Sequence, residues 1–240
     1  MAKSSPRFVT SITKATHKQN GGLKPITVII LSAGTGSRIK SYEPRSLLKI
    51  GNRCLIEHQI NTITQYFDSP EIISVVGCYA NKVIKKIRGK IRAVENQLYD
   101  HSNSSESLRL AVNNTLNENI LFMHGDLYFN EQTLDVSYDK SFIIIDQHDQ
   151  IKEAEVGVTI CDNRLSIMSY GLTTKWAQIA YFTAREYKIL KSIFQRYEYQ
   201  DKKKLSFEVI NMVLAAGGKF ECYEPPNMDI LEIDRIRDIR

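Results

Sequence analysis

No two of the four cysteines (Cys54, Cys78, Cys161, Cys222) lie close in sequence. Neither a Cys-x-x-Cys pair nor a Cys/His ligand spacing occurs, which argues against a zinc site. Scattered cysteines in this number fit reduced thiols and a cytoplasmic setting. Apolar runs are short, and none approaches the length of a membrane span. The first residues carry basic and hydroxyl side chains without an apolar stretch, so a secretory signal is not expected there. Charge of one sign is scarce too: 32 Lys+Arg against 27 Asp+Glu leave a formal +5. That mild excess suits phosphate handling and weak nucleic-acid binding alike, and supplies no basic block for a specific nucleic-acid partner.

What is present is an apolar fraction of 42% in 240 residues, enough for one large α/β domain. Residues 1–24 read as a flexible tail, with five dispersed basic residues and Gly21-Gly22 before Pro25. A nucleic-acid or membrane-binding arm is the sharper alternative for it. From residue 25 to 240 a single domain is expected. Runs such as Ile26–Leu31, Ile72–Val76 and Ile120–Met123 are continuous and β-branched or apolar, the pattern of buried parallel strands. Helical patterns over 55–67, 80–88 and 105–116 separate them. Strands alternating with helices at this spacing imply βαβ units and a mostly parallel sheet. Further on, strands are expected at 142–145, 154–160, 164–169 and 176–182, with Asp162-Asn163 as a hairpin turn. Helices near 184–200 and 205–216 follow, and 219–223 and 230–233 are expected to close the sheet.

The first strand runs straight into Leu31-Ser32-Ala33-Gly34-Thr35-Gly36-Ser37-Arg38. Glycines at 34 and 36 let the backbone approach a ligand and point N–H groups at it, and phosphate is the natural guest of such a nest. A dinucleotide fingerprint would need a small residue where Ile39 stands, and no Gly-Lys-Ser/Thr follows for a Walker A loop. Arg38 instead offers a guanidinium fork for the β- and γ-phosphates of an NTP. The plain alternative is a strand-to-helix turn with a surface arginine.

With Glu43-Pro44-Arg45-Ser46-Leu47-Leu48-Lys49 close behind, the segment resembles the sugar-phosphate and choline-phosphate nucleotidyltransferases, whose hallmark is L-[SA]-A-G-x-G-x-R followed by P-K-x-L. The chain departs from it at Arg45, where that family has lysine; a cation is kept, but a fork replaces a point charge. The resemblance spans about residues 26–240. It implies a three-layer α/β/α, Rossmann-like fold around a mixed, mostly parallel sheet. It also implies Mg²⁺ held by two aspartates: Asp126, in the Gly125-Asp126 pair after a central strand, and Asp234, near a late strand. Catalytic residues are then Arg38, Arg45, Asp126 and Asp234. Taken alone, Asp126 reads as a turn residue and Asp234 as a helix cap. Glu232 and Asp238 are weaker ligand candidates.

The nucleotide would lie on Leu31, Ala33, Gly34, Thr35, Gly36 and Arg38. The segment Asn96-x-x-Tyr99-x-x-x-Asn103-x-x-x-Ser107-Leu108 resembles a stretch of the choline-phosphate branch. It adds Asn96, Asn103 and Ser107 as base or ribose contacts and favours CTP. An ordinary loop with a serine-rich helix cap is the alternative there. His101 and His124 read as loop and packing residues.

The acceptor is expected on the second half. Lys175 stands where the family often places a lysine for the acceptor phosphate, and Glu153, Glu155 and Gly157 match its E-x-G-V strand. Trp176 and Tyr181, with an acid such as Glu208, could box a quaternary ammonium, unless these aromatics are simply core. The expected activity is Mg²⁺-dependent transfer of NMP, CMP favoured, to a phosphocholine-like alcohol phosphate or a sugar phosphate. Two rivals remain: a nucleotide-sugar-dependent glycosyltransferase, against which Gly125-Asp126-Leu127-Tyr128 lacks an Asp-x-Asp, and a non-catalytic nucleotide-binding module.

Overall fold

The structure, a computed structural model, describes residues 24–34 and 44–233. Its strands, in chain order, are β1 (Ile26–Ser32), β2 (Lys49–Ile50), β3 (Arg53–Cys54), β4 (Glu71–Val76), β5 (Arg92–Glu95), β6 (Asn119–His124) and β7 (Leu127–Phe129). They continue with β8 (Phe142–Asp146), β9 (Val156–Cys161), β10 (Arg164–Tyr170), β11 (Thr174–Phe182), β12 (Glu221–Tyr223) and β13 (Ile230–Glu232). The helices are α1 (Leu55–Tyr66), α2 (Ala80–Ile87), α3 (Ser104–Val112), α4 (Ala184–Gln195) and α5 (Ser206–Ala215).

Nine strands form one sheet in the order β5-β4-β1-β6-β11-β8-β12-β10-β9. Alternate residues of β1 serve opposite faces, as a pleated strand must. Ile29 and Leu31 pack in one apolar cluster with Leu108, Leu190 and Ile210, from α3, α4 and α5. Val28 and Ile30 pack in another with Ile60 and Val83, from α1 and α2. Three layers follow, with every residue of β1 buried.

The sheet is mixed, and the expectation of a mostly parallel one holds only for its first half. β5, β4, β1 and β6 run parallel. β11 then joins β6 and β8 in antiparallel fashion, and β10 does the same with β12 and β9. One physical reason is the short hairpin that joins β9 to β10 and makes them antiparallel: Asp162 and Asn163 have φ of 49° and 61°, the left-handed pair a tight hairpin turn needs. β12 enters the sheet as expected, but β13 does not close it. β13 pairs antiparallel with the short strand β7 in a separate ribbon. All four cysteines are unpaired. No helix among the described residues is long and apolar enough to cross a membrane.

Candidate active site

The parallel strands end at one edge of the sheet, where their last residues and the loops beyond them open a cleft of about 560 Å³. This is where an open α/β sheet offers backbone groups to a ligand. β1 delivers Leu31, Ser32, Ala33 and Gly34; β6 delivers His124, Gly125 and Asp126. The two strand ends touch. Gly125 N donates to Leu31 O at 2.9 Å, and a Cβ at residue 125 would stand 2.9 Å from that same oxygen. Only glycine lets β6 close on β1 there. Gly77 repeats the device after β4: a Cβ would stand 2.7 Å from Ala33 O and 2.6 Å from Tyr99 Cβ.

Asp126 is fixed from three sides. Gln59, buried on α1, donates its amide to His124 O at 2.9 Å and to Leu127 O at 2.8 Å, clamping the turn that carries it. Pro44 starts a 3₁₀ turn over Arg45–Leu47, and Arg45 Nη1 reaches Asp126 Oδ2 at 2.5 Å. Ile233 N donates to Asp126 O at 2.8 Å, while its side chain packs with Leu48 and Leu55. The Pro-Arg segment, the Gly-Asp turn and the end of β13 thus meet at one point. Asp126 Oδ1 is buried with no hydrogen-bond partner. An orphaned carboxylate oxygen at the cleft fits a hard divalent cation such as Mg²⁺, which takes few protein ligands and keeps its waters. Among the described residues no three His, Cys, Asp or Glu side chains gather as a denser metal cage. Asp234, the next residue after Ile233, lies outside the described residues, as do Thr35, Gly36 and Arg38.

Asn96, Asn103 and Ser107 all line the cleft. Asn96 is buried and acts as the keystone of its loop: Nδ2 donates to Ser102 Oγ and Ser107 Oγ, both at 3.1 Å, and Oδ1 accepts from Leu98 N. Asn103 precedes α3 and donates its amide to Lys203 O at 3.0 Å. Ser104 Oγ accepts from Ser206 N at 2.8 Å, so this loop is tied to the start of α5.

On the opposite wall stand Glu155, Tyr170, Lys175, Trp176, Gln178, Phe207 and Glu232. Lys175, buried in β11, contacts Asp149 at 2.6 Å and Glu155 at 3.3 Å. Burial pulls the Lys175 pKa down, but the two carboxylates outweigh it and the net shift is upward. Glu155 shifts the other way: burial raises it, while the Lys152 backbone N–H and the Lys175 ammonium bring it below the usual carboxylate range. Trp176 lines the cleft but is 3% exposed and donates its indole N–H to Ile179 O at 3.1 Å.

Two expected acceptor residues are not brought there. Tyr181 lies on the other face of the sheet, packed against Tyr138 and Phe142, because it is an odd number of residues from Trp176 along the pleat. Glu208 spends its carboxylate on Leu205 N at 2.7 Å, at the first turn of α5.

Sequence reading passed over several cleft residues. His124 is one: its Nε2 pairs with Ser206 Oγ at 2.9 Å, and its ring meets Trp176 edge-on. Burial lowers its pKa against the pull of Asp126, with Arg45 adding to the push. Gln178 is another, joined at 2.6 Å across β11 and β13 to Glu232, which was expected only as a weaker ligand candidate. The proximity of Glu232 to a late aspartate was the available signal for it; nothing in the sequence marks Gln178.

Comparisons with known proteins agree with this geometry. Residues 28–141 match the MobA-like NTP transferase domain. A stretch of 77 residues, 32% of this chain, is 36% identical to the bifunctional protein GlmU of Gluconobacter oxydans (strain 621H), spanning 15% of that protein. Another of 53 residues, 22% of this chain, is 34% identical to the 2-C-methyl-D-erythritol 4-phosphate cytidylyltransferase of Ectopseudomonas mendocina (strain ymp), spanning 21% of it. Among solved structures, the CTP:phosphocholine cytidylyltransferase LicC of Streptococcus pneumoniae superposes with a TM-score of 0.71 at 21% identity, covering 90% of this chain and 96% of that one. The inositol-1-phosphate CTP transferase of T. maritima also gives 0.71, at 17% identity, covering 89% and 91%. Residues 28–141 thus resemble a MobA-like NTP transferase domain, and the chain as a whole has the fold of the nucleotidyltransferases on which it superposes.

Proposed function

We propose that the chain transfers CMP from CTP to a small phosphorylated alcohol or sugar, with Mg²⁺, releasing pyrophosphate. The observation that carries this reading is the convergence of Gly34, the Asn96–Ser107 loop, Asp126 and Lys175 on one cleft. Its likeness to two CTP-using folds supports the base, and the lysine on the far wall supports a phosphorylated acceptor.

In this reading the acceptor's phosphate oxygen attacks the α-phosphorus in line. An O–P bond forms as the bond from the α-phosphorus to the bridging oxygen breaks, and pyrophosphate leaves with the electron pair. A phosphate monoester is already anionic at neutral pH, so no general base is needed. Mg²⁺, when bound, neutralises charge on the triphosphate. Asp126, with Asp234 by resemblance, would hold it. Arg45, held against Asp126, would pair with phosphate oxygens of the bound triphosphate, and Arg38 is the expected partner of the leaving group. Lys175 exchanges its exposed partner Asp149 for the acceptor phosphate, while Glu155 keeps its ammonium aimed at the cleft. Catalysis is then positioning plus charge neutralisation. His124 and Tyr128, two residues to either side of Asp126, leave no second carboxylate for the Asp-x-Asp of a glycosyltransferase.

Incubating the chain with each NTP, Mg²⁺ and a panel of phosphorylated acceptors, and measuring pyrophosphate, tests the reading. CTP is expected to give the fastest release. Asp126→Asn is expected to lower turnover by about a thousandfold or more with an unchanged circular dichroism spectrum. Undiminished turnover in that variant would remove Asp126 from its role.

A further inference from the structure

Six non-glycine residues among those described have positive φ. Five of them, including Tyr79 at the start of α2 and the Asp162-Asn163 pair, sit in turns, bends or a helix cap. Gln178, with φ of 61°, lies inside a strand. It is the apex of a bulge in which four residue steps of β11, Trp176 to Ala180, match two of β8, Ile145 to Ile143. Glutamine has no short polar side chain to ease this conformation, so the backbone is held there at a cost. Such positions gather where a bulge re-aims a side chain at a site. Trp176 locks the bulge through its indole N–H on Ile179 O. The effect is to swing Gln178 into the cleft, where Nε2 donates to Glu232 Oε2 at 2.6 Å, beside Lys175.

We propose that Gln178 is a specificity-determining residue that, with Glu232, selects acceptors whose alcohol part carries an N–H or O–H donor. This rests on the transferase reading and deepens it. The amide N–H donated to Glu232 leaves the Gln178 amide oxygen, an acceptor, for a ligand. Beside a lysine suited to a phosphate, that oxygen wants a hydroxyl or a primary ammonium, and a trimethylated ammonium offers neither. Among the described residues, the rings near Gln178 and Lys175 do not assemble a cage of faces for such a cation. Trp176 meets Phe122 and His124 edge-on, Tyr181 is on the other side of the sheet, and Tyr170 and Phe207 pack edge-to-face on each other.

The test uses phosphoethanolamine, phosphocholine and glucose 1-phosphate with the full chain, CTP and Mg²⁺. KM and kcat come from pyrophosphate release, and affinity from calorimetry with a non-hydrolysable CTP analogue. Phosphoethanolamine and phosphocholine differ by three methyl groups, and the sugar phosphate separates a hydroxyl donor from an ammonium one. The wild type is expected to bind at least one donor-bearing compound about tenfold more tightly than phosphocholine. In Gln178→Gly, whose backbone adopts the left-handed region freely, the preference is expected to fall to within about threefold. Its acceptor KM should rise while the CTP KM holds, and its melting temperature should hold or rise as the bulge relaxes. Gln178→Asn, which tolerates the same backbone with a shorter side chain, should shift the preference in the same direction. The proposal is overturned by a wild type that favours phosphocholine or binds none of the three, by a preference that survives in both variants, or by a loss of stability in Gln178→Gly. Selective binding without pyrophosphate release with any NTP would instead remove the transferase reading and leave the selection standing.

Discussion

The two walls of the cleft are built from different chemistry. The residues of Asn96–Ser107 that line the cleft are held by neutral hydrogen bonds, an asparagine amide on two serines, a serine on a backbone N–H and an asparagine on a backbone carbonyl, while Glu106, outside the cleft lining, pairs with Arg109 and Lys202. The opposite wall is held by charge, with Lys175 between Asp149 and Glu155 and Gln178 on Glu232. Neutral groups with fixed directions suit a base, whose edges carry donors and acceptors but no charge. A lysine poised between carboxylates suits an acceptor phosphate, because it can trade one anion for another with little net desolvation. Between the walls sits Asp126, on a turn that belongs to neither.

The largest test addresses that turn. Gly125→Ala places a Cβ 2.9 Å from Leu31 O, and backbone on both sides must give. A loss of about 3 kcal/mol in chemical denaturation is expected, with turnover falling further than stability alone explains, because Asp126 moves with the turn. A variant as stable and as active as the wild type would show that the contact between β1 and β6 does not position the site.

The walls themselves are separated by salt. Asn96→Ala strips three hydrogen bonds from a buried loop and is expected to cost about 2 kcal/mol, alike at low and high ionic strength, and to raise the KM for CTP. Lys175→Met keeps the volume but leaves Glu155 with only the exposed ammonium of Lys152. A cost of about 2 kcal/mol is expected at low salt and less at high salt, with the acceptor KM raised about tenfold. Equal salt response in the two variants would dissolve the distinction between the walls.

That asymmetry also decided what the sequence could reveal. The parallel half announced itself: β-branched runs marked β1, β4 and β6 to within a residue or two, and the Gly125-Asp126 pair stood out directly after one of them. The loop at Asn96 was legible through its resemblance to a known stretch, although its amides turn inward on Ser102 and Ser107. The charged wall was harder. Lys175 was found by position, but its partner Asp149 comes from a loop 26 residues away, and no local pattern links them. Tyr181 was misplaced because aromatic residues were grouped by nearness in sequence, whereas the pleat puts it and Trp176 on opposite faces. Gln178 was invisible since a bulge is set by how two strands register, not by the residue at its apex. β13 was expected in the main sheet because three apolar residues do not say which strand they will pair with.

The smallest effect lies on α1, outside the cleft lining. Glu57, in the first turn of α1, accepts from Cys54 N at 3.0 Å and contacts Lys86 at 3.1 Å and Lys90 at 3.2 Å. Burial pushes its carboxyl up, but the backbone N–H and the two ammoniums prevail and bring its pKa down to about 2. Taken at face value, a fall from 4.5 to about 2 corresponds to about 3 kcal/mol. Both lysines are open to solvent, and screening brings the contribution to about 1 kcal/mol. A depressed carboxyl stabilises the fold above its unfolded pKa and ceases to do so as the pH falls through its folded one. Glu57→Gln should therefore be about 1 kcal/mol less stable than the wild type at pH 7 and at pH 5.5. The gap should narrow from about pH 4.5 downward and close toward pH 2, as the wild-type carboxyl takes up its proton. A gap that persists undiminished at pH 3 would mean that Glu57 acts through packing or its bond to Cys54 rather than through charge.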